Sequence, residues 1–173
     1  MNADRNIVLI GMPAAGKSTV GVLLAKQLAR DFIDTDIHIQ TEEGRSLREI
    51  IESEGTAAFR LLEERLVVQL ACRGSVIATG GSVIYGDAAM LHLQQGGTLI
   101  YLYLPVEPLR RRLTDMNARG VAILPGQTLD DLFKERDPRY RCYADIVIDV
   151  ENLNHQQVID RIVARLDNPL TRA

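Results

Sequence analysis

Apolar residues along the chain follow two alternating rhythms. Short unbroken runs at Asn6–Ile10 (NIVLI), 75–79 (SVIAT), 98–104 (TLIYLYL) and 144–150 predict strands, and a continuous apolar run suits a strand covered on both faces. Phe32–Asp34 adds a shorter strand. Between these runs the apolar positions recur at helical spacing. Val20, Leu23, Leu24 and Leu28 mark a helix over 18–30, and Phe59, Leu62, Leu66 and Leu70 line one over 57–72, stopped by Gly74. Val158, Ile159, Ile162, Val163 and Leu166 line a closing helix. Ser46-Leu47-Arg48-Glu49 is a capping-box pattern that starts a helix ending near Gly55. Further helices are expected over 87–95, from Pro105 through Met116, and from Thr128 onward. Strands that alternate with helices predict an α/β fold with a parallel sheet. Ligands of such sheets gather at the carboxyl ends of the strands.

Length and composition narrow the picture only a little. The chain has 173 residues, read as one domain over 1–173, and a domain of that size buries roughly 70% of its unfolded surface. The net charge of −3 argues against a dedicated nucleic-acid binder. Cys72 and Cys142 stand alone, as do His38, His92 and His155, so no metal-ligand spacing is visible. Two lone cysteines read as reduced thiols. No apolar stretch approaches the ~20 residues of a membrane span. The expectation is a cytoplasmic protein without membrane or nucleic-acid partners.

The chemistry begins after the first strand. Gly11-Met12-Pro13-Ala14-Ala15-Gly16-Lys17-Ser18 fits G-x-x-x-x-G-K-[ST] in full, and it lies between a strand and a helix as a phosphate-binding loop must. Gly11 and Gly16 permit torsions that a side chain would obstruct. Backbone N–H groups around Ala14, Ala15 and Thr19 can then wrap phosphates at a helix N-terminus. Lys17 is placed to reach the β- and γ-phosphates of ATP, and the Ser18 hydroxyl to ligand Mg²⁺. A chance Lys-Ser after a glycine turn is the bland alternative, opposed by the agreement of pattern, strand and helix.

Two carboxylates follow the second strand, in Phe32-Ile33-Asp34-Thr35-Asp36. On an extended segment residues i and i+2 point the same way, so both are expected to face the phosphates. Asp34 suits the shell of Mg²⁺, which prefers oxygen ligands. Asp36 suits the hydroxyl of an acceptor, as aligner or proton acceptor. The plain alternative is a pair of turn aspartates that cap the next helix.

Taken in order, GMPAAGKST, FIDTD, the Gly55…Phe59-Arg60…Glu63 stretch, ATGGS at 78–82 and ERDPRY at 135–140 resemble the shikimate kinase family over about 6–149. The resemblance implies a three-layer P-loop fold of the nucleoside-monophosphate-kinase type, with a five-stranded parallel sheet flanked by helices. It also implies a mobile lid near 117–127, substrate-binding helices near 35–72, and a monomer. The implied reaction is ATP-dependent phosphorylation of shikimate. By the same resemblance Arg60 and Arg136 clamp the substrate carboxylate, as planar guanidinium groups can. Asp36 binds ring hydroxyls, Gly80 and Gly81 bring backbone to the substrate, and Asp34 lies near Mg²⁺. Arg119 is the lid arginine that neutralises the transferring group, and Arg112 stacks on adenine.

The chain departs from the family at two places. Ser82 stands where many members have a third glycine, and Arg119-Gly120 stands where an Arg-Pro pair is usual. Arg110-Arg111-Arg112 also reads as a solvated helix face, and Arg60 and Arg136 as ordinary surface arginines. A related kinase for another hydroxylated metabolite or a nucleotide stays open on the residues, as does a non-catalytic nucleotide-binding module.

Overall fold

A computed structural model describes residues 4–113 and 126–167. In chain order it contains β1 (Asn6–Ile10), α1 (Lys17–Leu28), β2 (Phe32–Asp34), α2 (Thr35–Glu43), α3 (Leu47–Val68), β3 (Val76–Ala78), a 3₁₀ turn (Val83–Tyr85), α4 (Asp87–Gly96), β4 (Gly97–Tyr103), α5 (Val106–Arg112), α6 (Leu129–Tyr143), β5 (Ile146–Asp149) and α7 (His155–Asp167). The five strands form one sheet in the order β2-β3-β1-β4-β5, with every neighbouring pair parallel. The expected α/β architecture is therefore present.

After β1 the chain runs outward to β2, returns through β3, and crosses to β4 on the other side of β1. That reversal opens a crevice at the carboxyl end of β1. The loops after β1, β2 and β3 all meet there. β1 and β3 are buried throughout, as the unbroken apolar runs predict for strands covered on both faces.

Two apolar clusters divide the molecule. The larger one joins the sheet to α1, α4 and α7, through residues such as Leu9, Leu24, Met90, Ile100 and Ile159. A separate small cluster of Ile39, Leu47, Ile50, Phe59, Leu62 and Leu66 holds α2 against α3. The capping box of Ser46 and Glu49 forms as expected, and Gly55 breaks the helical path with φ 85° and ψ 164°.

Three expectations need correction. Asp36 does not sit on an extended segment: helix α2 begins at Thr35, and Asp34 is its N-cap. α3 ends at Val68 rather than running to residue 72, so Gly74 lies well past its stop. α5 ends at Arg112 rather than at Met116, which lies outside the described residues. Among the described residues no helix is long and apolar enough to cross a membrane.

Candidate active site

The loop after β1 is shaped by close approach. Gly11 has φ 143°, and a Cβ there would lie 2.8 Å from the Leu102 carbonyl oxygen of β4, so only glycine fits. Gly16, at φ 103°, is the N-cap of α1. No side chain caps that helix and no acid occupies its first turn. Its leading N–H groups and positive dipole end are thus available to an anion. Ala14 adopts a left-handed φ of 62°, uncommon for a residue with a side chain.

Lys17 is buried, and its ammonium donates to the carbonyls of Gly11 at 2.8 Å and Met12 at 2.9 Å. An ammonium has three N–H donors, so one remains for a phosphate. Burial lowers its pKa to about 8, against the opposing pull of Asp36. The group stays cationic at neutral pH but loses its charge in mild alkali.

Asp34 accepts from the backbone N–H groups of Asp36 and Ile37 through one oxygen, Oδ1. Capping is thus one of its jobs. Asp36, on the first turn of α2, has its pKa raised to about 6 by burial, with Lys17 pulling the other way. The buried Thr35 between them accepts from the Gly80 N–H at 2.9 Å, which ties the end of β2 to the turn after β3.

That turn is crowded by charged groups. A Cβ on Gly80 would meet Glu63 Oε1 and Asp36 Oδ1, while one on Gly81 would lie 3.0 Å from both Arg136 Nη1 and Pro13 Cδ. A side chain at either glycine would therefore have to displace the charged side chains packed against the turn. Ser82 fits the turn: it is buried, and its hydroxyl donates to Glu63 Oε2 at 2.6 Å. Glu63 is 1% exposed and its Oε1 is buried with no hydrogen-bond partner. Burial raises its pKa to about 7, with the Ser82 hydroxyl opposing.

Arg136 is also only 1% exposed. It comes from α6, on the far side of the turn from α3, which carries Arg60 and Glu63. Tyr140, one turn along α6, donates to the Gly81 carbonyl at 2.6 Å and fixes the helix against the glycine turn. Arg60 lies with its guanidinium 3.6 Å from the Tyr85 ring centre. Neither arginine is thus an ordinary surface residue.

Ser18, Lys17, Asp36, Gly81, Ser82 and Arg136 line one cleft of about 780 Å³, whereas Asp34, Arg60, Glu63 and Gly80 are not among its lining residues. At the other end Arg112 and His155 line it too. Arg112 reaches the Ala14 carbonyl at 3.3 Å, while Arg110 pairs with Asp130 at 2.6 Å. The arginine run therefore divides between the cleft and the surface. Arg119, Gly120 and residues 117–125 of the lid expected near 117–127 lie outside the described residues.

Four contributors went unassigned on sequence grounds: Glu63, Ser82, Tyr85 and His155. Glu63 had a signal, because it falls inside the apolar stripe of Phe59, Leu62 and Leu66, where a carboxylate needs a reason to be buried. Ser82 and His155 line the cleft, and Tyr85 meets Arg60 and Arg136 behind it, only through tertiary folding.

Comparisons with known proteins converge on one family. The family model described as shikimate kinase matches residues 13–167. A shikimate kinase of Pseudomonas fluorescens is 38% identical over 165 residues, covering 94% of this chain and 96% of that protein. One from Haemophilus influenzae is 37% identical over 172 residues, 97% of this chain and 96% of that protein. A solved structure of shikimate kinase from Acinetobacter baumannii in complex with shikimate superposes with a TM-score of 0.88 at 35% identity, covering 96% of each chain.

Proposed function

The chain belongs to the shikimate kinase family, so its reaction is ATP-dependent phosphorylation of shikimate, and we propose the following roles for its residues. The N–H groups of Gly11 and of Ala14 to Thr19 hold the ATP phosphates, and Lys17 carries its remaining donor to the β- and γ-phosphates. Arg112 packs against adenine in the part of the cleft away from Arg136, and His155 lines the same cleft. At the closed end Arg60 and Arg136 take the substrate carboxylate, and Asp36 takes the accepting 3-hydroxyl. The backbone of Gly80 and Gly81 lets the ring approach.

Asp36 lies between the phosphates and the carboxylate clamp, with its pKa near 6. It is anionic at neutral pH and can align or accept the hydroxyl proton. The hydroxyl oxygen forms the new bond to the γ-phosphorus as the bridging oxygen leaves with ADP. Lys17 and, from the lid over 117–127, Arg119 neutralise charge on the transferring group.

Ser18 and Asp34 fit Mg²⁺. Among the described residues there is no group of three or more His, Cys, Asp and Glu that could hold a metal ion by itself, and Mg²⁺ needs none, since phosphates and water supply most of its ligands. Asp34 uses Oδ1 in its two capping bonds, and its second oxygen, like the Ser18 hydroxyl, would suit a hard cation. Mg²⁺, when bound, draws charge from the phosphate oxygens. We further take 1–173 as a single cytoplasmic kinase domain that acts as a monomer.

One observation carries these roles: Lys17, Asp36 and the fully buried Arg136 line one continuous cleft. The test is ADP release from Mg·ATP by the purified protein with and without shikimate. Shikimate-dependent release at ordinary kinase rates is expected. Nucleotide binding with no shikimate-dependent release would overturn the assignment.

A further inference from the structure

We propose that Tyr85 is a positioning residue for the carboxylate clamp, holding Arg60 through its ring face and Arg136 through its hydroxyl. The inference rests on the roles given above to those two arginines. The Arg60 guanidinium carbon lies 3.6 Å from the Tyr85 ring centre, with those of Arg136 and Arg139 at 5.3 Å and 5.2 Å. The hydroxyl accepts from Arg136 Nε at 3.3 Å and donates to Glu135 Oε1 at 2.6 Å. One side chain thus touches both arginines by two different chemistries.

The backbone makes Tyr85 a fixed point. It ends the 3₁₀ turn that follows the glycine turn, and the preceding Val83 and Ile84 are buried in the main core. Arg60, by contrast, comes from α3, beyond the kink at Gly55. Its Nε is buried without a hydrogen-bond partner, so the ring is the contact that sets the plane of the guanidinium.

That contact has a useful geometry. An aromatic face attracts a guanidinium from above, while all five guanidinium N–H donors point outward in the plane. Stacking therefore orients Arg60 without using a donor that a carboxylate needs. Three guanidinium groups around one ring would repel each other, and Glu135 and the negative ring face offset that repulsion. Glu135 also accepts from Gln127 at 2.7 Å, so its carboxylate is itself held.

The test uses Tyr85→Leu and Tyr85→Phe in the full chain, with kcat and both KM values measured for shikimate and for its methyl ester. Tyr85→Leu is expected to raise the KM for shikimate roughly 5- to 20-fold, the range of a partly desolvated cation–π contact. The KM for ATP and kcat should stay within about twofold of wild type. Tyr85→Phe keeps the ring and should recover at least half of the loss on a logarithmic scale. With the methyl ester, whose charge is gone, wild type and Tyr85→Leu should differ by less than about twofold.

An unchanged KM for shikimate in Tyr85→Leu would overturn the proposal, as would an equal penalty on ATP or on the ester. Should Tyr85→Leu fail to fold, Tyr85→Phe decides alone: a KM more than about tenfold above wild type, with ATP unaffected, would put the role in the hydroxyl and refute the ring contact. Wild-type turnover separates the two levels of inference. No shikimate turnover by wild type removes the functional reading and this one with it; normal wild-type turnover with an indifferent Tyr85 removes this one alone.

Discussion

At the proposed nucleotide end of the cleft the chain works mainly with backbone: two glycines, a left-handed alanine and an uncapped helix start surround the place proposed for the phosphates. At the acceptor end it works with buried side-chain charge instead, supplied by segments far apart in sequence. Glu63 and Arg136, each 1% exposed, come from α3 and α6. The first end rests on the sheet and the main core. α2 and α3 at the second are held together by a small cluster centred on Ile50 and Phe59. A backbone cradle is completed by local torsions, so it costs little stability and tolerates neighbours. A nest of buried charges is expensive to hold, and each member depends on the others being in place.

The largest expected effect lies where the two ends meet. Lys17→Met should lower kcat by at least about 10³-fold, as for loss of a preorganised donor to a charged transition state. Folding should survive, because the substitution removes a buried charge whose pKa burial has already depressed. A coupled ADP assay and a thermal melt check both parts. Turnover within tenfold of wild type would break the assignment of this end to phosphate.

Next in size is Arg136→Ala, which strips the acceptor end of its most buried cation. The expected loss is about 2–5 kcal/mol in kcat/KM for shikimate, the range for truncating one member of a desolvated charge pair. The KM for ATP should hardly move. A loss carried by ATP instead would erase the division between the two ends.

The pH profile joins them again. Asp36 must be anionic, which favours pH above about 6, and Lys17 must be cationic, which favours pH below about 8. The plot of kcat/KM should therefore be a bell with limbs near those values. Outside them the rate should fall about tenfold per pH unit. In Asp36→Asn the residual rate should lose the acid limb, and a limb that persists there would assign it to another group.

A stability measurement isolates the acceptor end. Glu63 has a folded pKa near 7, above its ordinary 4.5, so the fold favours the protonated acid. Above pH 7 the carboxylate is ionised in both states and opposes folding; below about 4.5 it is protonated in both and the penalty vanishes. Glu63→Gln should thus stabilise the protein by about 1–3 kcal/mol at pH 8. The gain should shrink to nothing as the pH falls through 7 towards 4.5. Denaturant melts at the two ends of that range test it, and an equal gain at both would mean that charge is not the cause.

The same contrast governs how much was legible in the sequence. The nucleotide end is local, so the order strand, loop, helix and the spacing of Gly11, Gly16 and Lys17 spell it out. β1, β4 and the capping box of Ser46 and Glu49 were readable for the same reason. Helix α2 was not: Ile39 is its only large apolar side chain that is buried, so no stripe announces it. The one local signal was Asp34 as N-cap, the plain alternative to an extended acidic pair, and the capping arrangement is the one that forms. Arg60 and Arg136 were assigned by resemblance alone, since nothing near either one marks burial. Tyr85 and Ser82 acquire meaning only when the turn after β3 packs between α3 and α6. Charge buried by tertiary contact leaves no periodic trace.

The smallest expected effect bears on the residue that departs from the family's glycine. Ser82 has φ −92° and ψ −8°, a conformation open to any residue, so glycine would gain nothing there in backbone strain. What it would lose is the hydroxyl that donates to Glu63 Oε2 at 2.6 Å. Ser82→Gly should destabilise the protein by about 1–2 kcal/mol at pH 8, where the acceptor is an anion. It should cost less at pH 5, where Glu63 is largely neutral and the bond weaker. The hydroxyl also holds the Glu63 pKa down, so its removal should push that pKa above 7 and extend the pH range over which stability falls. Combining the substitution with Glu63→Gln separates the two contributions. If the serine acts through the carboxylate, its penalty at pH 8 should fall by at least half when Glu63→Gln is already in place. A penalty that is the same in both backgrounds would mean that Ser82 merely fills its turn, and that the acceptor end tunes its buried acid by some other contact.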